Sequence, residues 1–159
     1  IDDADSEDYK IFKEALDYIN VYMAKKIARD GEGATRMIEV QVINAPDCQT
    51  ARVIARSVTT SNLTKAAVFG EDANWGRILC AVGYSGADFD PDRVDIYLGQ
   101  EKMAENGMGL LFNEDAARTE LQKDTVLIIV DLKSGDYQAT AWGCDLSYEY
   151  VRINAAYRT

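Results

Sequence analysis

Apolar side chains recur at Phe12, Leu16, Ile19, Met23 and Ile27, at intervals of four, three, four and four residues. That interval returns to one side of an α-helix, and the pattern predicts a helix over residues 8–29 whose stripe is core. Asp2, Asp3, Asp5 and Ser6 bring caps and negative charge to its start, Lys25, Lys26 and Arg29 bring cations to its end, and Gly31 stops it. Strict alternation then takes over at 36–43, where Ile38, Val40 and Val42 oppose Glu39 and Gln41, the signature of a strand with one buried face. The turn Asn44-Ala45-Pro46-Asp47 leads into a second helix over 48–57, with Ala51, Ile54 and Val58 inward.

Residues 63–69 read as a short strand entered through Ser61-Asn62, and 74–82 as a helix with Ile78, Leu79 and Val82 inward. Two strands, 94–98 and 102–105, precede the turn dipeptide Asn106-Gly107. A helix follows over 113–122, with Ala116, Ala117 and Leu121 as its apolar face. The run V-L-I-I-V within 125–132 is the most apolar strand, expected at the centre of a sheet and buried on both faces. Lys133-Ser134-Gly135-Asp136 turns it back into 137–142, and the pair reads as a hairpin. Tyr148, Val151 and Ala155 fall at helical spacing, so a terminal helix capped by Ser147 or Asp145 would bring Thr159 against the body. Helices and strands alternate irregularly, an α+β pattern of helices layered on mixed sheet within one domain over 1–159.

Composition narrows the chemistry. The 159 residues suffice for one domain with a real core, and 47% hydrophobic residues exclude a disordered chain. A net charge of −10 argues against nucleic acid and against an anionic membrane surface. No apolar run approaches the ~20 residues of a membrane span. Cys48, Cys80 and Cys144 are odd in number and widely spaced, which reads as free thiols in a reducing compartment. There is no histidine, which argues against zinc and removes Ser-His-Asp and Cys-His mechanisms from this chain. Asp88, Asp90 and Asp92 alternate like a calcium loop, but Pro91 interrupts them and no glutamate closes the register. Acid–base chemistry is therefore left to carboxylates, lysines, termini or another chain, with no metal and no bound cofactor expected.

Two stretches lack simple periodicity. F-G-E-D-A-N-W-G-R-I-L at 69–79 has glycines bracketing acids, an amide, a tryptophan and an arginine. As the turn between a strand and a helix it would aim polar groups at one spot, suited to an anion or substrate. The alternative is a connector with Asn74 as N-cap and Trp75 in the core. Arg77 fits either a substrate carboxylate or an ion pair with Glu71 or Asp72. In D-G-E-G-A-T at 30–35, two glycines let the backbone bend and present Glu32, which taken alone reads more readily as a solvated loop residue.

Together with the terminal G-C-D-L-S-Y-E-Y-V-R-I-N-A-A-Y-R-T, these stretches resemble, in order and spacing, the C-terminal part of the ornithine acetyltransferase family, also called bifunctional glutamate N-acetyltransferases. The resemblance covers essentially the whole chain, and Ala73, where proline is common in the family, is a mild departure. It implies a four-layer αββα fold like that of N-terminal-nucleophile aminopeptidases. It also implies a precursor that cleaves itself just before a threonine, which becomes the acyl-accepting nucleophile at the start of the β chain. The implied reaction carries the acetyl group of N-acetylornithine to glutamate in arginine biosynthesis, with acetyl-CoA as a second donor in many members. The implied partners are the α chain, the remainder of the β chain and a second copy in an α2β2 assembly, in the cytoplasm.

By the same resemblance Glu32, Asn154 and Thr159 are substrate contacts. The nucleophile is expected upstream of Ile1, so no catalytic residue is assigned within this chain. An N-terminal threonine brings its own base, since an α-amine has a pKa near ~8. Two other readings stand beside this one: an N-terminal-nucleophile amidase of related fold, and a non-enzymatic amino-acid-binding module.

Overall fold

The computed structural model describes residues 3–156. Helix α1 (Glu7–Arg29) starts at Ser6, whose hydroxyl accepts from the Tyr9 N–H, and ends with Lys26 and Arg29 in its last turn. Strand β1 (Met37–Ala45) leads to α2 (Cys48–Thr60), α3 (Asn62–Phe69) and α4 (Trp75–Gly83). A single 3-10 turn at Pro91–Arg93 precedes β2 (Asp95–Leu98), β3 (Glu101–Glu105) and the two-residue β4 (Met108–Gly109). The chain closes with α5 (Glu114–Leu121), β5 (Thr125–Asp131), β6 (Tyr137–Cys144) and α6 (Tyr148–Ala156). The strands make one six-stranded mixed sheet in the order β4-β3-β2-β5-β1-β6. The α+β pattern of helices on mixed sheet is thus what the chain adopts.

One face of the sheet carries the core. Ile38, Val40 and Val42 of β1, Val126, Ile128 and Val130 of β5, and Ile96 and Leu98 of β2 are all fully or almost fully buried. They join one cluster with Ile54 and Val58 of α2, Ile78 and Val82 of α4, and Ala117 and Leu121 of α5. The other face, with Gln41, Tyr97, Leu127 and Ile129, is only half-buried. Strand β5 is central as expected, but its burial alternates, because helices cover one side of it only.

Three expectations fail here. Residues 63–69 are helix α3, not a strand. The segment is too apolar to show its period, and Ser61, whose side chain accepts from the Thr64 N–H, starts a helix there. Strands β5 and β6 do not form a hairpin. Both pair with β1, β5 in parallel and β6 antiparallel, so β1 lies between them. The α1 stripe is not core in this chain, since Phe12 is 53% exposed, Ile19 54% and Ile27 70%. The helix touches the sheet near its C-terminal end. There Lys25 meets Glu39 at 3.0 Å and sits 5.4 Å from the Trp142 ring centroid.

Candidate functional site

The pairing of β1 with β6 sets Met37 opposite Cys144, so the entrance to β1 and the exit of β6 lie side by side. Asp145, the next residue, is fully buried and turns its carboxylate onto the loop that precedes β1. Its Oδ1 accepts from the Thr35 N–H at 2.8 Å and the Arg36 N–H at 3.2 Å, and its Oδ2 accepts from the Thr35 hydroxyl. The Asp145 N–H in turn donates to the Arg36 carbonyl at 3.1 Å.

Ser147 makes a second tie. Its hydroxyl donates to the Gly33 carbonyl and accepts from the Tyr150 N–H at 3.0 Å, capping α6. Of the two cap candidates in the sequence, the helix uses Ser147, and Asp145 is left for the loop. Gly33 has φ +74°, and a Cβ there would lie 2.6 Å from the Tyr150 nitrogen, so loop and helix approach as closely as backbones can. At Gly31 a Cβ would lie 2.7 Å from the Cys144 Sγ.

The third stretch joins through Arg36. Its guanidinium donates to the Phe69 carbonyl at 3.3 Å and to Glu71 at 2.8 Å. Glu71, at φ +54°, also receives Gln122 at 2.9 Å and Arg118 at 3.1 Å. Hydrogen bonds from Gln122 and Arg118, helped by the Arg36 charge, hold its carboxyl below the ordinary glutamate range against slight desolvation. The Phe69 ring meets Tyr148 edge-on at 5.3 Å, and Lys65 lies 5.4 Å from the Tyr150 ring centroid. Residues 30–36, 65–71 and 144–150 thus form one junction at the end of the sheet.

Glu32 stands exposed on that junction, and among the described residues it has no hydrogen-bond or ion-pair partner. Asn154 is exposed on α6, its Nδ2 donating to the Tyr150 carbonyl at 2.9 Å. Thr159 lies outside the described residues. The structure therefore brings together the segments that carry Glu32 and Asn154, although the two side chains are not bonded to each other.

Arg77 is occupied structurally, with Nη1 on the Leu63 carbonyl at 3.3 Å and Nη2 4.0 Å from Asp72. Asn74 caps α4 by accepting from the Arg77 N–H at 3.1 Å, and Trp75 packs against the core, as a connector would. A cavity of about 440 Å³ opens between residues 70–73 and Phe112, Glu114, Asp115 and Arg118. Carboxylates dominate its wall, so it does not favour the anion that the motif suggested. Sequence reasoning missed Arg36 and Asp145 as organisers of the junction, since Arg36 reads as an ordinary strand-flanking residue and Asp145 as a helix cap.

Known proteins similar to this chain bear on its family and its fold. The model of the ArgJ family matches residues 2–159. The arginine biosynthesis bifunctional protein ArgJ of Caldanaerobacter subterraneus subsp. tengcongensis is 56% identical over 156 residues, covering 96% of this chain and 39% of that protein. The protein of the same name from Thermotoga neapolitana is 55% identical over 150 residues, covering 92% of this chain and 38% of that protein. The crystal structure of the arginine biosynthesis bifunctional protein ArgJ from Bacillus halodurans superposes with a TM-score of 0.93 at 44% identity, covering 98% of this chain and 73% of that one. The chain thus spans about two fifths of the length of the curated relatives it matches.

Proposed function

This chain belongs to the ArgJ family, and we propose that it is the C-terminal part of the β chain of an acetyltransferase. The whole enzyme moves the acetyl group of N-acetylornithine to glutamate through an acyl-threonine intermediate, with acetyl-CoA as a second donor. The observation that carries this reading is the junction itself. A glutamate with no described partner sits on a loop bonded at Asp145 and Ser147 to the segment that carries Asn154 and Thr159.

In this reading the attacking threonine hydroxyl and the oxyanion donors come from outside the sequence. Glu32 pairs with the free ammonium of N-acetylornithine, and the tail closes the pocket. Asn154 has an amide that both donates and accepts, and Thr159 contributes a hydroxyl. Holding acceptor amine and acyl-enzyme together supplies orientation, while the α-amine of the nucleophile supplies the base.

The partners are the α chain, the rest of the β chain and a second copy in an α2β2 assembly. Two surfaces support such neighbours: the exposed apolar stripe of α1 and the half-buried sheet face around Tyr97, Leu127 and Ile129. A second sheet on that face would complete four layers. No described helix is long and apolar enough to cross a membrane.

The test is to express the complete precursor, measure the masses of its chains and supply N-acetylornithine with glutamate. The reading expects two chains, the second beginning with threonine and containing this sequence, and acetyl transfer to glutamate. Hydrolysis without transfer would assign the amidase alternative.

A further inference from the structure

Asp145 presents an unusual arrangement. It is a fully buried carboxylate, and among the described residues no cation lies within salt-bridge distance of it. The guanidinium of Arg36, whose backbone N–H donates to Asp145, goes instead to Glu71 and the Phe69 carbonyl. Taking a carboxylate out of water without a counter-charge is costly unless donors replace the lost hydration. Here the described donors to the carboxylate, two backbone N–H groups and one hydroxyl, all come from two consecutive residues, Thr35 and Arg36, at the end of the glycine-flanked loop. Asp145 precedes α6 but gives that helix nothing, because Ser147 already caps it.

We propose that Asp145 is a positioning residue: it fixes the loop that presents Glu32 and so sets how Glu32 meets substrate. This rests on the reading of Glu32 as a substrate contact. The physical logic is pre-organisation. A loop with glycines on both sides of Glu32 is soft by itself, and binding would have to order it. Tying Thr35 and Arg36 to a carboxylate at the sheet end removes that cost before substrate arrives. Ser147 secures the loop a second time, at Gly33, the residue next to Glu32. Glu32 thereby stands just before two anchored points, Gly33 and Thr35-Arg36, each tied to the segment leading to the terminal helix.

The experiment uses the complete, self-cleaved enzyme carrying Asp145→Ala, Asp145→Asn, Glu32→Gln and the Asp145→Ala/Glu32→Gln pair. Losing the anchor is expected to raise KM for N-acetylornithine about tenfold with kcat within about threefold, the loss of one to two hydrogen bonds' worth of binding. Asparagine keeps the shape and one acceptor oxygen, so Asp145→Asn is expected to restore most of the wild-type KM. The paired variant is expected to be no worse than the poorer single variant, because Asp145 acts through Glu32. Amide hydrogen exchange supplies a readout independent of substrate. Residues 31–36 are expected to exchange faster in Asp145→Ala while 37–45 stay protected.

Unchanged exchange in 31–36, or an Asp145→Ala effect on KM that multiplies with that of Glu32→Gln, overturns the proposal. If Glu32→Gln alone leaves KM unaltered, the substrate-contact reading fails, and the assignment of Asp145 as acting through Glu32 fails with it. If Asp145→Ala does not fold, Thr35→Val removes the hydroxyl tie alone, and faster exchange of 31–36 is then the expected result and unchanged exchange the contrary one.

Discussion

The Thr35 N–H donates to Asp145 Oδ1 at 2.8 Å, across 110 residues of chain. That bond ties the loop entering the first strand to the segment leaving the last one. Strands β1 and β6 are neighbours in the sheet, so their adjacent ends make the meeting possible, and the buried carboxylate fixes it.

Gly33 is where this junction is least tolerant. Its φ of +74° already disfavours any side chain by about 1–2 kcal/mol, and a Cβ would press on the Tyr150 nitrogen and the Glu149 carbonyl carbon, which are backbone atoms. Gly33→Ala in the complete enzyme is expected to lower Tm and to loosen both residues 31–36 and the start of α6, as read by hydrogen exchange. Unaltered protection at both would mean that the contact is not maintained in solution.

The opposite end of the sheet, where Asp95 of β2 pairs with Asp131 of β5, holds a separate electrostatic anchor. Burial of Asp95 works to raise its carboxyl. Hydrogen bonds from Lys102 and Lys133 and from the Asn106 N–H outweigh it, so the folded carboxyl titrates below the usual aspartate range. An aspartate in the unfolded chain titrates near about 3.9, and a group depressed in the fold adds stability that is full above that value and lost as pH falls through the folded one. Asp95→Asn is expected to cost about 2 kcal/mol at pH 7. It should also flatten the fall of Tm on acidification below about pH 5, as followed by thermal melts across pH. Some slope remains, because Glu39 and Glu71 are also depressed in the fold. An Asp95→Asn curve parallel to wild type would contradict the assignment.

The exposed stripe of α1 gives a prediction about partners. Phe12, Leu16, Ile19 and Met23 repeat like core positions yet lie open to solvent in this chain. Ile19→Glu on a solvent-facing helix changes stability by no more than about 0.5 kcal/mol. If instead the rest of the enzyme covers the stripe, the charge is buried, and the complete enzyme should lose Tm by several degrees or fail to assemble on size-exclusion chromatography. A neutral effect on both would leave the stripe without an occupant.

Much of this architecture is written in local pattern. Alternation at Ile38, Val40 and Val42 marks β1 because only one side of it is covered. Asp47 and Asn113 stand where the starts of α2 and α5 need acceptors. What stays hidden is set by distant pairing. Nothing near residue 137 tells β6 to pass its predecessor β5 and pair with β1, and nothing in L-T-K-A-A-V-F distinguishes a buried helix from a buried strand. The Glu32 segment could be singled out from its glycines, and the tail from its apolar composition. Their union through Asp145, Ser147 and Arg36 could not, because each of those residues has an equally good local use as a cap or a surface charge. The α1 stripe fails for the opposite reason: its period is strong, but nothing among the described residues covers it.

The central claim is that Glu32, held on this junction, contacts the substrate amine. The most direct measurement is KM for N-acetylornithine in the complete enzyme carrying Glu32→Gln, alongside the extent of self-cleavage. Losing a charge-assisted bond of about 1.5–3 kcal/mol predicts a KM higher by about tenfold or more, with cleavage complete. A KM equal to that of wild type would contradict the account. So would a precursor that no longer cleaves, which would give Glu32 to maturation instead.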